Sequence, residues 1–175
     1  MRRTYDRTEH GRVVLDPDAV AKIDRGGMRE VIASFPEQLV EGMRRGAEVA
    51  SDVGNSPQVF IVGMGGSGIA GEVFAAWAAD RSRIPIHPVH DYRLPSYARP
   101  GDLLVSVSYS GDTEETLAAT AQGIKLGCRI IAVPSGGALA RLVRDLHAPL
   151  VEIPAGLPPR GAFGNLFGIL PALGS

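Results

Sequence analysis

Val59-Phe60-Ile61-Val62-Gly63-Met64-Gly65-Gly66-Ser67-Gly68 runs four apolar residues straight into a glycine-rich turn. A short unbroken apolar run reads as a strand buried on both faces, and the turn after it as the point where strand gives way to helix. Glycines let backbone amides approach an anion closely, a serine adds a donor, and the following helix offers its unpaired first-turn amides. The same grammar recurs at Ser106-Val107-Ser108-Tyr109-Ser110-Gly111-Asp112-Thr113, after the apolar run 103–107. Two such loops converge on one anion if their strands are neighbours at a topological switch point.

Working outward, further short apolar runs occupy 84–87, 129–133 and 150–153, so that five candidate strands follow one another. Amphipathic stretches at 69–79, 113–126 and 138–146 separate them and are long enough for helical crossovers. Alternating strands and helices predict an α/β fold, a three-layer doubly wound sandwich around a five-stranded parallel sheet in the flavodoxin-like order 2-1-3-4-5. Upstream, apolar positions Val31, Ile32, Phe35, Leu39, Val40 and Met43 recur at helical spacing, interrupted at Pro36, which can open a second helix. Residues 1–27 read as an irregular N-terminal arm, with Asp16-Pro17-Asp18 capping a short helix and Gly26-Gly27 stopping it.

At 175 residues and 45% apolar content the chain fits one compact domain with short extensions. A net charge of −1 lacks the electrostatic footprint of a nucleic-acid binder. Cys128 is the single cysteine, which excludes an intramolecular disulfide and any CxxC motif and suits a reducing cytoplasm. Met1-Arg2-Arg3 is followed by polar Thr4-Tyr5-Asp6-Arg7-Thr8-Glu9-His10 rather than the apolar run of a signal peptide, and no segment reaches transmembrane length. The expected partner is therefore a small molecule, with neither nucleic acid nor membrane.

Gly63, Gly65 and Gly68 satisfy the G-x-G-x-x-G pattern after a strand, and Asp91 falls near the ribose-binding position, so a dinucleotide-binding domain is one alternative. Ser67 inside the turn and the second hydroxyl-rich loop lie outside that fingerprint. A P-loop fails because Ile69 and Ala70 stand where Lys and Ser/Thr should follow Gly68. A hydrolase elbow fails because neither Ser67 nor Ser110 has the required glycines on both sides. Ser108, Ser110 and Thr113 can aim three hydroxyls at one site around a tight turn at Gly111; helix capping by Ser110 and Thr113 is the plainer reading of the same residues. His87 and His90 flank Pro88 and read as loop or edge residues rather than metal ligands, and His147 as a helix C-terminal residue.

Gly63-Met64-Gly65-Gly66-Ser67-Gly68 together with Ser108-Tyr109-Ser110-Gly111-Asp112-Thr113-Glu114-Glu115-Thr116 resembles a sugar isomerase (SIS) domain. Leu157-Pro158-Pro159-Arg160-Gly161-Ala162-Phe163-Gly164 further resembles the Pro-Arg motif of bifunctional phosphoglucose/phosphomannose isomerases, which lies just after their first SIS domain. The resemblance spans about 28–170 and divides the chain into the arm at 1–27, an SIS domain at 28–156, and the motif with the start of a helix at 157–175. It implies a cofactor-free and metal-free aldose–ketose isomerase acting on glucose 6-phosphate and mannose 6-phosphate to give fructose 6-phosphate.

The implied phosphate-binding residues are Gly65, Gly66, Ser67, Ser108, Tyr109, Ser110, Gly111 and Thr113, with Arg160 as the catalytic residue that stabilises an enediolate. Subunits of that family hold two SIS domains. The glutamate base, ring-opening histidine and a lysine of the family belong to the second one, so the chain reads as cut before it. A cytoplasmic homodimer is expected, with apolar surface exposed around Phe163, Leu166, Phe167, Ile169 and Leu170. The competing class is a non-catalytic sugar-phosphate-binding regulatory module.

Overall fold

The structure, a computed structural model, describes residues 6–7, 13–14, 17–53 and 55–173. Met1-Arg2-Arg3, the Asp16 capping position and Gly174-Ser175 lie outside them. The chain divides into two units, residues 1–34 and 35–175.

In the first unit, strand β1 (Asp6–Arg7) pairs antiparallel with β2 (Val13–Val14), followed by helices α1 (Pro17–Ile23) and α2 (Met28–Ala33). Pro17 opens α1, where its missing N–H costs nothing. Asp24 accepts the amides of Met28 and Arg29, each at 2.8 Å, and satisfies two first-turn donors of α2.

The second unit opens on α3 (Phe35–Glu48), with Pro36 in its first turn. Its sheet contains β3 (Val59–Val62), β4 (Ile86–Val89), β5 (Leu103–Ser108) and β6 (Arg129–Pro134), all parallel, in the order β4-β3-β5-β6. Helices α4 (Gly65–Ala78), α5 (Glu114–Leu126), α6 (Gly137–Asp145) and α7 (Phe163–Leu173) complete it. The three-layer α/β architecture and the doubly wound order are thus observed.

The fifth expected strand narrows to one parallel bridge, Ala132 to Leu150. The amides of Val151 and Ile153 still donate to Ala132 O (2.8 Å) and Pro134 O (2.9 Å), so the segment flanks β6 where that strand was expected. Pro149 and Pro154 bracket it, and neither can donate to a ladder. The run expected at 84–87 is displaced to Ile86–Val89. Pro88 is accommodated because β4 is an edge strand. The carbonyls of Pro85 and Val89 accept from Val59 and Gly63, so odd-numbered residues face β3 and Pro88 faces outward.

Alternation along the strands supplies both faces of the core. Ile61, Leu103, Val105, Val107, Ile131 and Val133 join Phe74 of α4 and Leu166, Ile169 and Leu170 of α7 on one side. On the other side Phe60, Val62, Leu104 and Ile130 meet Ala119 of α5 and Leu139 and Val143 of α6. Each fully buried Leu, Ile or Phe contributes about 1.5–3 kcal/mol, so both faces are needed to hold the sheet.

The C-terminal helix overturns one expectation: Leu166, Ile169 and Leu170 are buried, and Phe163 and Phe167 pack partly buried against the same cluster. The cause is a close pairing of α7 with α3. A Cβ on Gly42 would lie 2.6 Å from Asn165 O, and one on Gly168 2.5 Å from Leu39 O. Only bare backbone permits that approach.

Candidate functional site

Parallel strands deliver their following loops to one edge of a sheet, and β3 and β5 are neighbours. Both glycine-rich loops therefore leave the same edge side by side, and a hydrogen bond joins them: Tyr109 N donates to Ser67 Oγ at 3.1 Å. The convergence that the sequence required of a single anion site is present.

The first loop is tighter than the sequence suggested. Helix α4 begins at Gly65 rather than at Ile69, so Gly65-Gly66-Ser67-Gly68 is its opening turn. Met64 caps it through backbone alone: Ser67 N and Gly68 N donate to Met64 O at 3.0 and 3.1 Å. The amides of Gly65 and Gly66 have no acceptor among the described residues, and Gly65 is exposed with Gly66 half-buried. Those two amides, at the positive end of a helix with no acidic residue in its first turn, form an anion-receptive pair. Gly65 takes φ +50°, a left-handed conformation that glycine adopts freely.

The second loop is held by its own hydroxyls. Ser108 Oγ accepts the Gly111 amide at 3.1 Å and pairs with Thr113 Oγ1 at 2.9 Å. Thr113 stands at the N-cap of α5 without a side-chain capping bond, so the capping reading does not apply to its hydroxyl. Ser110 is exposed, and its Oγ accepts the Asp112 amide at 3.2 Å. Gly111 is buried at φ +74°, with a Cβ there falling 1.9 Å from Gly136 O. Within the expected set Ser110 is an exposed residue, while Ser67 and Ser108 are buried.

Tyr109 departs from its expected role. Its amide goes to Ser67, its carbonyl accepts from Ser135 N (3.0 Å) and Ser135 Oγ (2.6 Å), and its hydroxyl accepts the Leu157 amide at 2.8 Å and reaches Pro154 O at 3.3 Å. Every polar group it has is used inside the protein, which makes it a fastener of loops rather than a free donor.

Sequence reasoning missed three supports. Ser135-Gly136-Gly137, the turn after β6, closes on the second loop: Leu139 N donates to Gly111 O and Ala138 N to Asp112 Oδ1, both at 2.8 Å. Asp112 thus serves the first turn of α6. The third support is His90, just past β4, whose Nδ1 lies 2.7 Å from Gly63 O and whose Nε2 lies 2.7 Å from Glu72 Oε1. A Cβ on Gly68 would meet that ring at 2.7 Å, so the imidazole is packed under the first loop. Its bonds to the Gly63 carbonyl and to Glu72 favour the doubly protonated ring and raise its pKa above the ordinary 6.5. Adjacency of His90 to Pro88 and Asp91 was the available signal, and it pointed to an edge role only.

Arg160 sits in a short 3-10 turn, Pro159–Ala162. A Cβ on Gly66 would lie 3.5 Å from Pro159 O and 3.6 Å from Arg160 N and Cα, so this turn is seated on the first loop. The Arg160 side chain is exposed, with no hydrogen-bond or ion-pair partner among the described residues. Of the carboxylates near the loops, Glu72 is engaged with His90, and Glu115 lies beside the Tyr92 phenol, whose pKa it raises above the ordinary 10. Among the described residues no three His, Cys, Asp or Glu side chains gather as a metal-binding group. Nor is any helix among them long and apolar enough to cross a membrane.

No protein-family model matches the chain. It is 35% identical over 142 residues to the bifunctional phosphoglucose/phosphomannose isomerase of Caldicellulosiruptor bescii, covering 80% of this chain and 42% of that protein. The enzyme of the same name from Thermoplasma acidophilum is 40% identical over 113 residues, 65% of this chain and 34% of that protein. Among solved structures, tagatose-6-phosphate ketose/aldose isomerase from Escherichia coli superposes with a TM-score of 0.65 at 18% identity, over 80% of this chain and 45% of that one. That likeness concerns the fold. The chain spans less than half the length of these relatives. Sequence relatives, strand order and fold agree: this chain is related to the bifunctional phosphoglucose/phosphomannose isomerases and shares the α/β fold of the ketose/aldose isomerase.

Proposed function

We propose that this chain is the phosphosugar-binding SIS domain of a cytoplasmic, homodimeric aldose–ketose isomerase that converts glucose 6-phosphate and mannose 6-phosphate to fructose 6-phosphate. One observation carries the reading: the Gly65 and Gly66 amides and the Ser108–Thr113 loop meet at the carboxyl edge of adjacent strands, with the Arg160 turn seated on Gly66. The phosphate is received by the amides of Gly65 and Gly66 and by Ser110, with Thr113 and Gly111 shaping the loop and Ser67 and Ser108 fixing it from within. The names of the relatives supply the reaction class.

Isomerisation removes the proton from C2 of the open-chain aldose, passes through an enediolate and returns a proton to C1. Negative charge builds on the two oxygens, where a guanidinium is worth more than in bulk water. Arg160 is the proposed donor. The base and the ring-opening residues belong, by the resemblance, to the family's second SIS domain, consistent with Glu72 and Glu115 being engaged elsewhere. That same engagement favours the second reading, a regulatory module that binds the sugar phosphate without turning it over.

Calorimetry on residues 1–175 should show fructose 6-phosphate binding with almost no turnover, because a missing general base costs about two to four orders of magnitude in rate. In the full-length gene product, formation of fructose 6-phosphate from both aldoses should appear, and Arg160→Lys should lower kcat more than it raises KM. Robust turnover by residues 1–175 would overturn this division of labour. A full-length protein that binds phosphosugar without converting it would favour the regulatory reading.

A further inference from the structure

Tyr109 joins four segments that are far apart in sequence. Its amide holds the first turn of α4 through Ser67 Oγ, and its carbonyl holds the turn after β6 through Ser135. The phenol packs partly buried against the α7-side core, and its hydroxyl bridges Pro154 O and the Leu157 amide. Leu157 is three residues before Arg160, and the connection between them is Pro158-Pro159, whose fixed φ angles transmit position rather than absorb it. Pro158 is extended at φ −58°, ψ 140°, and Gly161 N donates back to Pro158 O at 2.7 Å, closing the turn. The chain from the tyrosine hydroxyl to the Arg160 backbone is therefore short and stiff.

We propose that Tyr109 is a positioning residue that sets Arg160 over the phosphate cradle, so that the loop receiving the phosphate also fixes the cation for the sugar end. The inference rests on the proposed phosphosugar reading of the site. Backbone at Tyr109 builds the cradle and its hydroxyl builds the Arg160 turn, and removal of the hydroxyl alone separates the two jobs. The phenyl ring of Tyr109→Phe keeps the packing, and the Ser67 and Ser135 bonds are to backbone and survive.

Two probes separate the ends of the site by calorimetry. Inorganic phosphate reports the cradle. The carboxylate of 5-phospho-D-arabinonate stands where enediolate charge would develop and reports Arg160 as well. Tyr109→Phe should weaken the aldonate phosphate by about three- to tenfold, the scale of one lost hydrogen bond, and change inorganic phosphate by less than about twofold. Arg160→Gln should show the same selectivity, and the double variant should be no weaker than Arg160→Gln alone within about twofold, because both act through one guanidinium. Equal weakening of both probes, an unchanged aldonate affinity in either single variant, or full additivity in the double would overturn the proposal.

Amide hydrogen exchange gives an independent reading. Leu157 should exchange about three- to tenfold faster in Tyr109→Phe, as expected for loss of a hydrogen-bond acceptor. Unchanged exchange overturns the strap whatever the ligands do. If the unsubstituted chain binds neither probe, the phosphosugar reading fails, Arg160 is no longer being set for catalysis and the positioning role falls with it, while accelerated exchange would still establish the strap as architecture.

Discussion

The two glycine loops reach the same edge of the sheet by opposite means. The first is open backbone: two amides with no acceptor among the described residues above, an imidazole packed below, and a Gly65 beside which a Cβ would meet nothing within 4 Å. The second is closed and self-bonded, with hydroxyl paired to hydroxyl and Gly111 wedged against Gly136. Positive φ at a glycine therefore has two meanings in this molecule. At Gly65 it orients donors outward, and at Gly111 it lets two loops touch.

Substitution tests that contrast most sharply. Gly111→Ala combines a left-handed residue with a 1.9 Å approach to a backbone oxygen, and should cost more than about 3 kcal/mol of stability in urea unfolding. Gly65→Ala carries the conformational penalty alone, about 1 kcal/mol. Equal losses would erase the distinction between an open loop and a wedged one.

Binding provides the next test. Ser110→Ala should weaken fructose 6-phosphate by about tenfold, as for a lost hydrogen bond to a charged group, and Thr113→Val by less, since Thr113 acts on the shape of the loop. They should differ in stability, since Thr113→Val also breaks the pair with Ser108 and should lower it by about 1 kcal/mol, whereas exposed Ser110→Ala should leave it nearly unchanged. Calorimetry and thermal melts on the same samples check both, and unchanged affinity in Ser110→Ala would remove that hydroxyl from the phosphate site.

The smallest effect is electrostatic. Because folding raises the pKa of His90, chiefly through Gly63 O and then Glu72, its contribution is complete below the ordinary value of 6.5 and is lost as pH rises through the higher native value. The ring is partly exposed, which limits the effect to within about 1 kcal/mol. Relative to His90→Gln, which does not titrate, the unsubstituted protein should lose melting temperature as pH climbs through that range. Parallel profiles would mean that the ring supports the first loop by shape alone.

These contrasts also mark what the sequence could and could not disclose. Strands at 59–62 and 103–107 were legible because short, predominantly apolar runs, unbroken at 59–62 and interrupted only by Ser106 at 103–107, must be buried on both faces, and the glycine turns after them announced the helices. The segment at 150–153 carried the same apolar signal, yet flanking prolines leave it a single bridge. The candidate site was legible as composition but not as connectivity. Gly63 and His90 are 27 residues apart, and Ser67 and Tyr109 are 42 apart. Nothing local tells a serine that donates to a ligand from one whose oxygen is taken by a distant amide. Tyr109 illustrates this most clearly, standing among expected ligand residues while facing the chain on every polar atom.

The outward-facing Pro88 has a consequence for how copies of this protein can meet. An edge strand with a full row of free amides invites another strand to dock and lengthen the sheet, the first step towards fibrils. Here that row is broken on the β4 side by a residue with no amide hydrogen, while the opposite border is sheathed by the segment after α6. Both borders are blunted against recruitment of a neighbour's strand, so a dimer of this chain should be built through helices and loops, leaving the sheet at its native width.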